Sequence, residues 1–170
     1  KACHDAVQLD SRNKKMNLSI NISPKQLENE SFVANALTII RGYPLKNIQI
    51  VFEVTERVLL ITNDMVINRI LELRKNGIKL SMDDFGMGHS SITYLQENIF
   101  DEVKLDGSLI NHLLENQRTR EIVISITQIA NRLNLNVVAE FVETKEQVEV
   151  LKDIGCQIYQ GYYFAKPEPL

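Results

Sequence analysis

The chain is poor in the residues that staple small secreted domains or hold soft metals. Its 170 residues include two cysteines and three histidines. Cys3 and Cys156 fit no zinc-binding spacing, and the expectation is two reduced thiols in a cytosolic protein. His4, His89 and His112 are scattered, which gives little support to a histidine-based metal site or a Ser-His-Asp triad. No apolar run is long enough to span a bilayer. The opening stretch KACHDAVQLDSRNKK is polar and carries no signal-peptide pattern, so a cytoplasmic location is expected, with any membrane anchor in regions outside this sequence. Nineteen basic residues against 22 acidic ones leave a net charge of −3, which is no electrostatic footprint for duplex nucleic acid. No glycine/serine linker or low-complexity tract divides the chain, and its length suits one domain, residues 1–170, with a sizeable core.

What the chain does have is a regular alternation of strand and helix signals. LSINIS precedes Ser23-Pro24-Lys25-Gln26, which reads as a helix start with Ser23 as N-cap, Pro24 in the first turn and Gln26 closing a capping box. That helix is predicted to run to about Arg41, with Gly42 and Pro44 ending it. A strand follows over 48–55. A helix capped by Thr62 stops at Gly77. The next strand covers 78–85, and a glycine-rich turn leads into a short helix over 92–96. A strand over 103–105 precedes a long helix over 118–133. Strand 136–142 leads to the capping box at Thr144-Lys145-Glu146-Gln147. That helix ends at Gly155, and a last strand is predicted over 157–164. The chain opens in a further helix over 2–9.

Six strands each end in a polar side chain: Asn21, Glu53, Asp83, Lys104, Glu140 and Gln160. Residues two apart share a strand face. Ser19 and Asn21 therefore oppose Leu18, Ile20 and Ile22, while Val51 and Glu53 oppose Ile50, Phe52 and Val54. Ser81 and Asp83 oppose Leu80 and Met82; Lys104 opposes Val103 and Leu105; Val138 and Glu140 oppose Val137 and Ala139. One face of each strand is apolar and the other turns polar at its end. A parallel sheet buried on both faces would be apolar throughout. Polar groups aimed at a shared interior are costly unless they bind something or each other. A TIM-like (β/α) barrel accounts for this pattern, and its chemistry sits at the strand C-termini. Such a barrel needs eight strands, and six are legible, so the barrel is expected to be incomplete.

The Asp83-Asp84 pair at a strand end is the sharpest single feature. Alternation points the two carboxylates in different directions, so Asp83 can bridge while Asp84 reaches around the rim. Oxygen-rich clusters of Asp, Glu and Asn suit Mg²⁺ or Mn²⁺. Two such ions about 3.5–4 Å apart can clamp a phosphodiester for in-line attack. Lys104 adds a positive charge able to hold the attacking water.

These segments resemble the EAL domain family, phosphodiesterases of the bacterial second messenger cyclic di-GMP. The matching stretches are NISPKQL at 21–27, FEVTE at 52–56, DDFGMGHSS at 83–91, VKLD at 103–106, VAEFVET at 138–144 and QGYYF at 160–164. They cover nearly the whole chain in the family's order. The resemblance implies a two-metal hydrolysis of cyclic di-GMP to linear pGpG. It casts Asn21 and Glu53 as ligands of the first ion, Asp83 as the bridging ligand, and Asp84 and Glu140 as ligands of the second. Glu140 is also the family's proposed general base, and Lys104 resembles the lysine that holds the attacking water. Glu143 and Gln160 resemble water-positioning groups, and Glu56 resembles the glutamate that anchors the loop over 85–91. That loop links the metal site to substrate and to dimerisation in the family, so a homodimer is expected, with sensory or cyclase domains attached outside this chain.

The sequence departs from the family pattern at three places. Phe141 replaces a glycine; its parity with Ala139 is expected to place it on the helix-facing side, leaving the ligands undisturbed. His89 replaces an aromatic residue. The Glu-Ala-Leu segment that names the family is absent, its place being upstream of Lys1 together with two strands and one carboxylate ligand. The 170-residue chain is therefore expected to be weakly active or inactive by itself. The alternative function is a non-catalytic cyclic di-GMP-binding regulatory module.

Overall fold

A computed structural model describes residues 2–10, 15–55, 64–86, 95 and 98–168. After helix α1 (Ala2–Asp10) comes strand β1 (Met16–Asn21), followed by α2 (Pro24–Glu28) and α3 (Phe32–Arg41). Strand β2 (Ile48–Thr55), α4 (Asp64–Lys75), β3 (Lys79–Phe85) and β4 (Glu102–Leu105) follow. The chain continues through α5 (Gly107–Asn111), α6 (Gln117–Arg132), β5 (Asn136–Ala139), α7 (Lys145–Ile154) and β6 (Ile158–Tyr159). All strand pairings are parallel, and the spatial order is β1-β2-β3-β4-β5-β6. Sequential parallel order is that of a (β/α) barrel, and among the described residues the architecture is an incomplete barrel of six strands.

The alternation resolves into two faces. Leu80, Met82, Val103, Leu105, Val137 and Ala139 have no exposed surface and join one core cluster with the helices. In α4 that cluster takes Val66, Ile70 and Leu73, spaced as one helical stripe. The opposite strand face carries Glu53, Ser81, Asp83, Glu102 and Lys104. Adjacent strands lie about 4.8 Å apart, so β2 and β4 stand about 10 Å apart. Lys104 of β4 nevertheless reaches Glu53 of β2 at 3.2 Å. Both side chains point into one concave surface.

Several boundaries differ from expectation. The predicted helix over 23–41 is two helices. The capping box at Ser23 and Gln26 is present. However, Asn29 is extended, and its Oδ1 accepts from both the backbone N–H and the hydroxyl of Ser31 at 2.9 Å. That local turn out-competes helix continuation. Strand β5 ends at Ala139 and β6 is two residues long, both shorter than predicted. The short helix α5 was not foreseen; Asp106 caps it by accepting from Ser108 N at 2.8 Å. The Thr62 cap lies outside the described residues, as does all of the predicted 92–96 helix apart from Leu95.

Candidate active site

Strand termini bring four of the proposed residues into one cluster. Lys104 Nζ lies 2.8 Å from Glu140 Oε1, 3.2 Å from Glu53 Oε1 and 3.2 Å from Asp83 Oδ1. Lys104 is 5% exposed and Glu53 7%. Residues from β2, β3, β4 and the end of β5 thus share one ammonium. Asn21 stands beside them, paired in register with Glu53, on the exposed edge of β1.

A register shift in β3 explains how Asp83 and Asp84 part company. Met82 pairs with Val103, and then Phe85 pairs with Leu105, so three steps on β3 match two on β4. Asp84 takes up the extra residue with φ 57°. Asp83 turns inward to Lys104, while Asp84 is exposed at the rim. Gly161 fixes the other side of the mouth. A Cβ there would sit 2.2 Å from the carbonyl oxygen of Val142, so only glycine lets the chain bearing Gln160 lie against Val142. Gln160 and Glu143 line a cavity of about 290 Å³ next to Glu140. Among the described residues neither side chain hydrogen-bonds to the Lys104 cluster. Glu56, His89 and most of the 85–91 loop lie outside the described residues.

The electrostatics follow from burial. Burial alone would lower the Lys104 pKa; the hydrogen bond and charge of Glu140, with the charges of Glu53 and Asp83, outweigh it and raise it. Burial raises the Glu140 carboxyl, and the hydrogen bond and charge of Lys104 offset it only in part. Three carboxylates facing one ammonium leave negative charge uncompensated in a low-dielectric site. Asp83 Oδ1 is buried and, although within ion-pair range of Lys104, has no hydrogen-bond partner. Among the described residues no three Asp, Glu, His or Cys side chains already form a cage for an ion; the Lys104 ammonium stands where their oxygens converge. The donor set is all oxygen and net anionic, with a buried acceptor still unsatisfied. That chemistry fits hard divalent cations.

Glu102 was not singled out from the sequence. It shares the inner strand face with Lys104 two residues on, and it is buried. Its carboxyl is raised first by burial and also by the charge of Glu53, against the nearby Ser81 hydroxyl, Lys104 and Lys79. The signal was available in the parity of EVKL, but Glu102 lies below the strand end, where an acidic residue reads as a loop charge.

Phe141 corrects the parity argument. It follows the end of β5, has φ 54°, and is 57% exposed. Alternation holds only while the strand lasts, and it stops two residues earlier.

Among the described residues no helix is long and apolar enough to cross a membrane. The EAL domain family model matches residues 1–167. The cyclic di-GMP phosphodiesterase RocR of Pseudomonas aeruginosa is 34% identical over 154 residues, 91% of this chain and 39% of RocR. The cyclic di-GMP complex of the PaMucR phosphodiesterase superposes with a TM-score of 0.87 at 32% identity, over 99% of this chain and 68% of that one. The manganese and cyclic di-GMP complex of Klebsiella pneumoniae BlrP1 superposes with a TM-score of 0.86 at 29% identity, over 96% of this chain and 42% of that one. The chain spans well under half the length of the curated relatives it matches. With six parallel strands in barrel order and a family match along 167 residues, the chain belongs to the EAL domain family.

Proposed function

We propose that residues 1–170 are part of an EAL-type phosphodiesterase domain, lacking its first two strands, that hydrolyses cyclic di-GMP to linear pGpG. The observation that carries this reading is the convergence of Glu53, Asp83 and Glu140 on Lys104 at the strand C-termini. Asn21, Glu53 and Asp83 would hold one Mg²⁺ or Mn²⁺ ion, and Asp83, Asp84 and Glu140 a second. When bound, such ions stabilise charge on a phosphodiester and generate hydroxide near neutral pH. The chain's own residues supply the rest. Lys104 keeps its charge in this anionic setting and can orient a water for in-line attack. Glu140, its pKa raised, is tuned toward accepting that water's proton. Gln160 and Glu143, on the adjoining cavity, position water and substrate at the rim. The domain would work as a homodimer in the cytoplasm, joined to sensory or cyclase domains.

A non-catalytic cyclic di-GMP-binding module is the second reading. One observation favours it: the Lys104 ammonium itself neutralises part of the acidic cluster. The test is an assay of the full-length protein for pGpG in Mg²⁺ and in Mn²⁺. Asp83→Asn should abolish turnover, because Asp83 would serve both ions, and excess chelator should do the same. Full turnover by the variant or in chelator overturns the two-metal mechanism. Tight dinucleotide binding by the unaltered protein with no pGpG in either metal favours the binding module.

A further inference from the structure

Phe141 combines strain, exposure and a fixed seat. A bulky residue at φ 54° is an outlier in the region that glycine fills without cost. More than half of its surface faces solvent. Yet the ring is not loose. A Cβ on Gly107 would stand 2.5 Å from Phe141 Cδ2 and 2.7 Å from Cγ, so the ring lies directly on the Gly107 backbone at the start of α5. The large side chain and the missing one are complementary. An observed backbone outlier at the mouth of a site is the kind of feature from which a functional role is argued.

Phe141 lines the 290 Å³ cavity together with Tyr162 and Pro167, and Glu140, Glu143 and Gln160 add polar groups to the same lining. Glu140 connects it directly to the Lys104 cluster. The volume lies at the lower limit of the roughly 300–1,000 Å³ typical of small-molecule sites, so it admits one ring system, not a whole dinucleotide. Flat apolar walls next to a phosphate-handling centre suit a base attached through its ribose to the reacting phosphate. Bases stack on aromatic side chains.

We propose that Phe141 is a substrate-positioning residue: its seated ring stacks on one guanine of the cyclic dinucleotide and holds the adjoining phosphodiester at the Lys104 cluster. This rests on the cyclic di-GMP reading above. The experiment uses the full-length protein and a cyclic dinucleotide with 2-aminopurine in place of one guanine, whose fluorescence is quenched by stacking. Cyclic di-GMP itself is titrated in parallel. Wild type and Phe141→Tyr should quench the probe and bind alike. Phe141→Gly and Phe141→Leu should lose the quench and bind cyclic di-GMP about 5- to 100-fold more weakly. In turnover the loss should appear mainly in KM. Phe141→Gly should melt no lower than wild type, because glycine accepts this φ; Phe141→Leu, which keeps an apolar side chain but no flat ring, guards against a folding artefact. Wild-type binding matched by both Phe141→Gly and Phe141→Leu overturns the inference while leaving the cyclic di-GMP reading intact. No cyclic di-GMP binding by wild type overturns that reading, and this inference with it.

Discussion

Lys104 concentrates the energetics of the site in one side chain. Its ammonium is the shared partner of Glu53, Asp83 and Glu140, all in the concave face of the sheet. Removing one partner from a buried ionic cluster costs more than the pair contributes, because the remaining charges are left unpaired. Lys104→Met should therefore lower stability by about 3–5 kcal/mol in chelator. A divalent cation can replace the lost charge, so Mn²⁺ should raise the melting temperature of Lys104→Met more than that of wild type. Thermal melts of both proteins with chelator and with Mn²⁺ check this, and equal metal-induced shifts would show that the ammonium and the ion do not share a site. Much of this cluster was legible in the sequence. Strand parity alone placed Glu53, Asp83, Lys104 and Glu140 on one face. What it did not convey was that Lys104 would touch all three carboxylates, because that depends on sheet curvature, a property of several strands at once. Glu102 escaped for the opposite reason: its parity was plain, but nothing local distinguishes an inward acidic residue from a solvated one.

At the scale of elements, the helix caps were the most legible features and the strand ends the least. The capping boxes at Ser23 and Thr144 are local hydrogen-bond patterns, and both formed where their residues predicted. The break between α2 and α3 turns on the Asn29–Ser31 side-chain turn, which competes with the helix on nearly equal terms. Gln147 shows an element serving the site. Its Oε1 accepts from Glu143 N at 2.8 Å and Thr144 N at 3.1 Å, and its Nε2 donates to Ile110 O at 3.2 Å. One buried amide thus ties α7 to α5 and sets the rim segment that carries Glu143. Gln147→Ala would take this acceptor from the Glu143 and Thr144 N–H groups, while the Ile110 carbonyl keeps its bond from Leu113 N, and should cost about 1–3 kcal/mol in a denaturant titration; a loss near zero would mean that water takes over both. Cys156, between α7 and β6, links this region to pH. Burial pushes its thiol up from 9.0 to about 11, opposed by nearby backbone hydrogen bonds. Between those values the unfolded chain gives up the proton while the folded chain keeps it, so the stabilisation present below pH 9 is lost as pH rises toward 11. The loss attributable to this group is at most about 2–3 kcal/mol. Cys156→Ala should flatten the alkaline limb of the stability curve relative to wild type, and superimposable limbs would remove the thiol as its cause.

For the whole molecule, closure is the decisive property. Among the described residues six parallel strands build a concave face that carries the Lys104 cluster, but an eight-stranded barrel is what seals such an interior. On β1 the inward positions Asn17, Ser19 and Asn21 are exposed, whereas Glu53 next door on β2 is buried. The candidate ligands of the first ion therefore straddle a change from solvent to interior. Mg²⁺ tolerates water in open coordination positions, so a weakened site at Asn21, Glu53 and Asp83 can still form. Catalysis asks for more, since both ions and the phosphate must be held in fixed geometry and a loose wall degrades that geometry. Among the described residues no further strand pairs with the outer edges of β1 and β6, and such edges favour association between chains. Residues 1–170 alone should hydrolyse cyclic di-GMP very slowly or not at all, and should sediment as more than a monomer. A longer protein with a Glu-Ala-Leu segment ahead of residue 1 should be active. Side-by-side assays for pGpG at saturating Mn²⁺ decide the matter. Equal rates would show that six strands suffice to hold the reacting phosphate, and that the first ion needs no ligand beyond Asn21, Glu53 and Asp83.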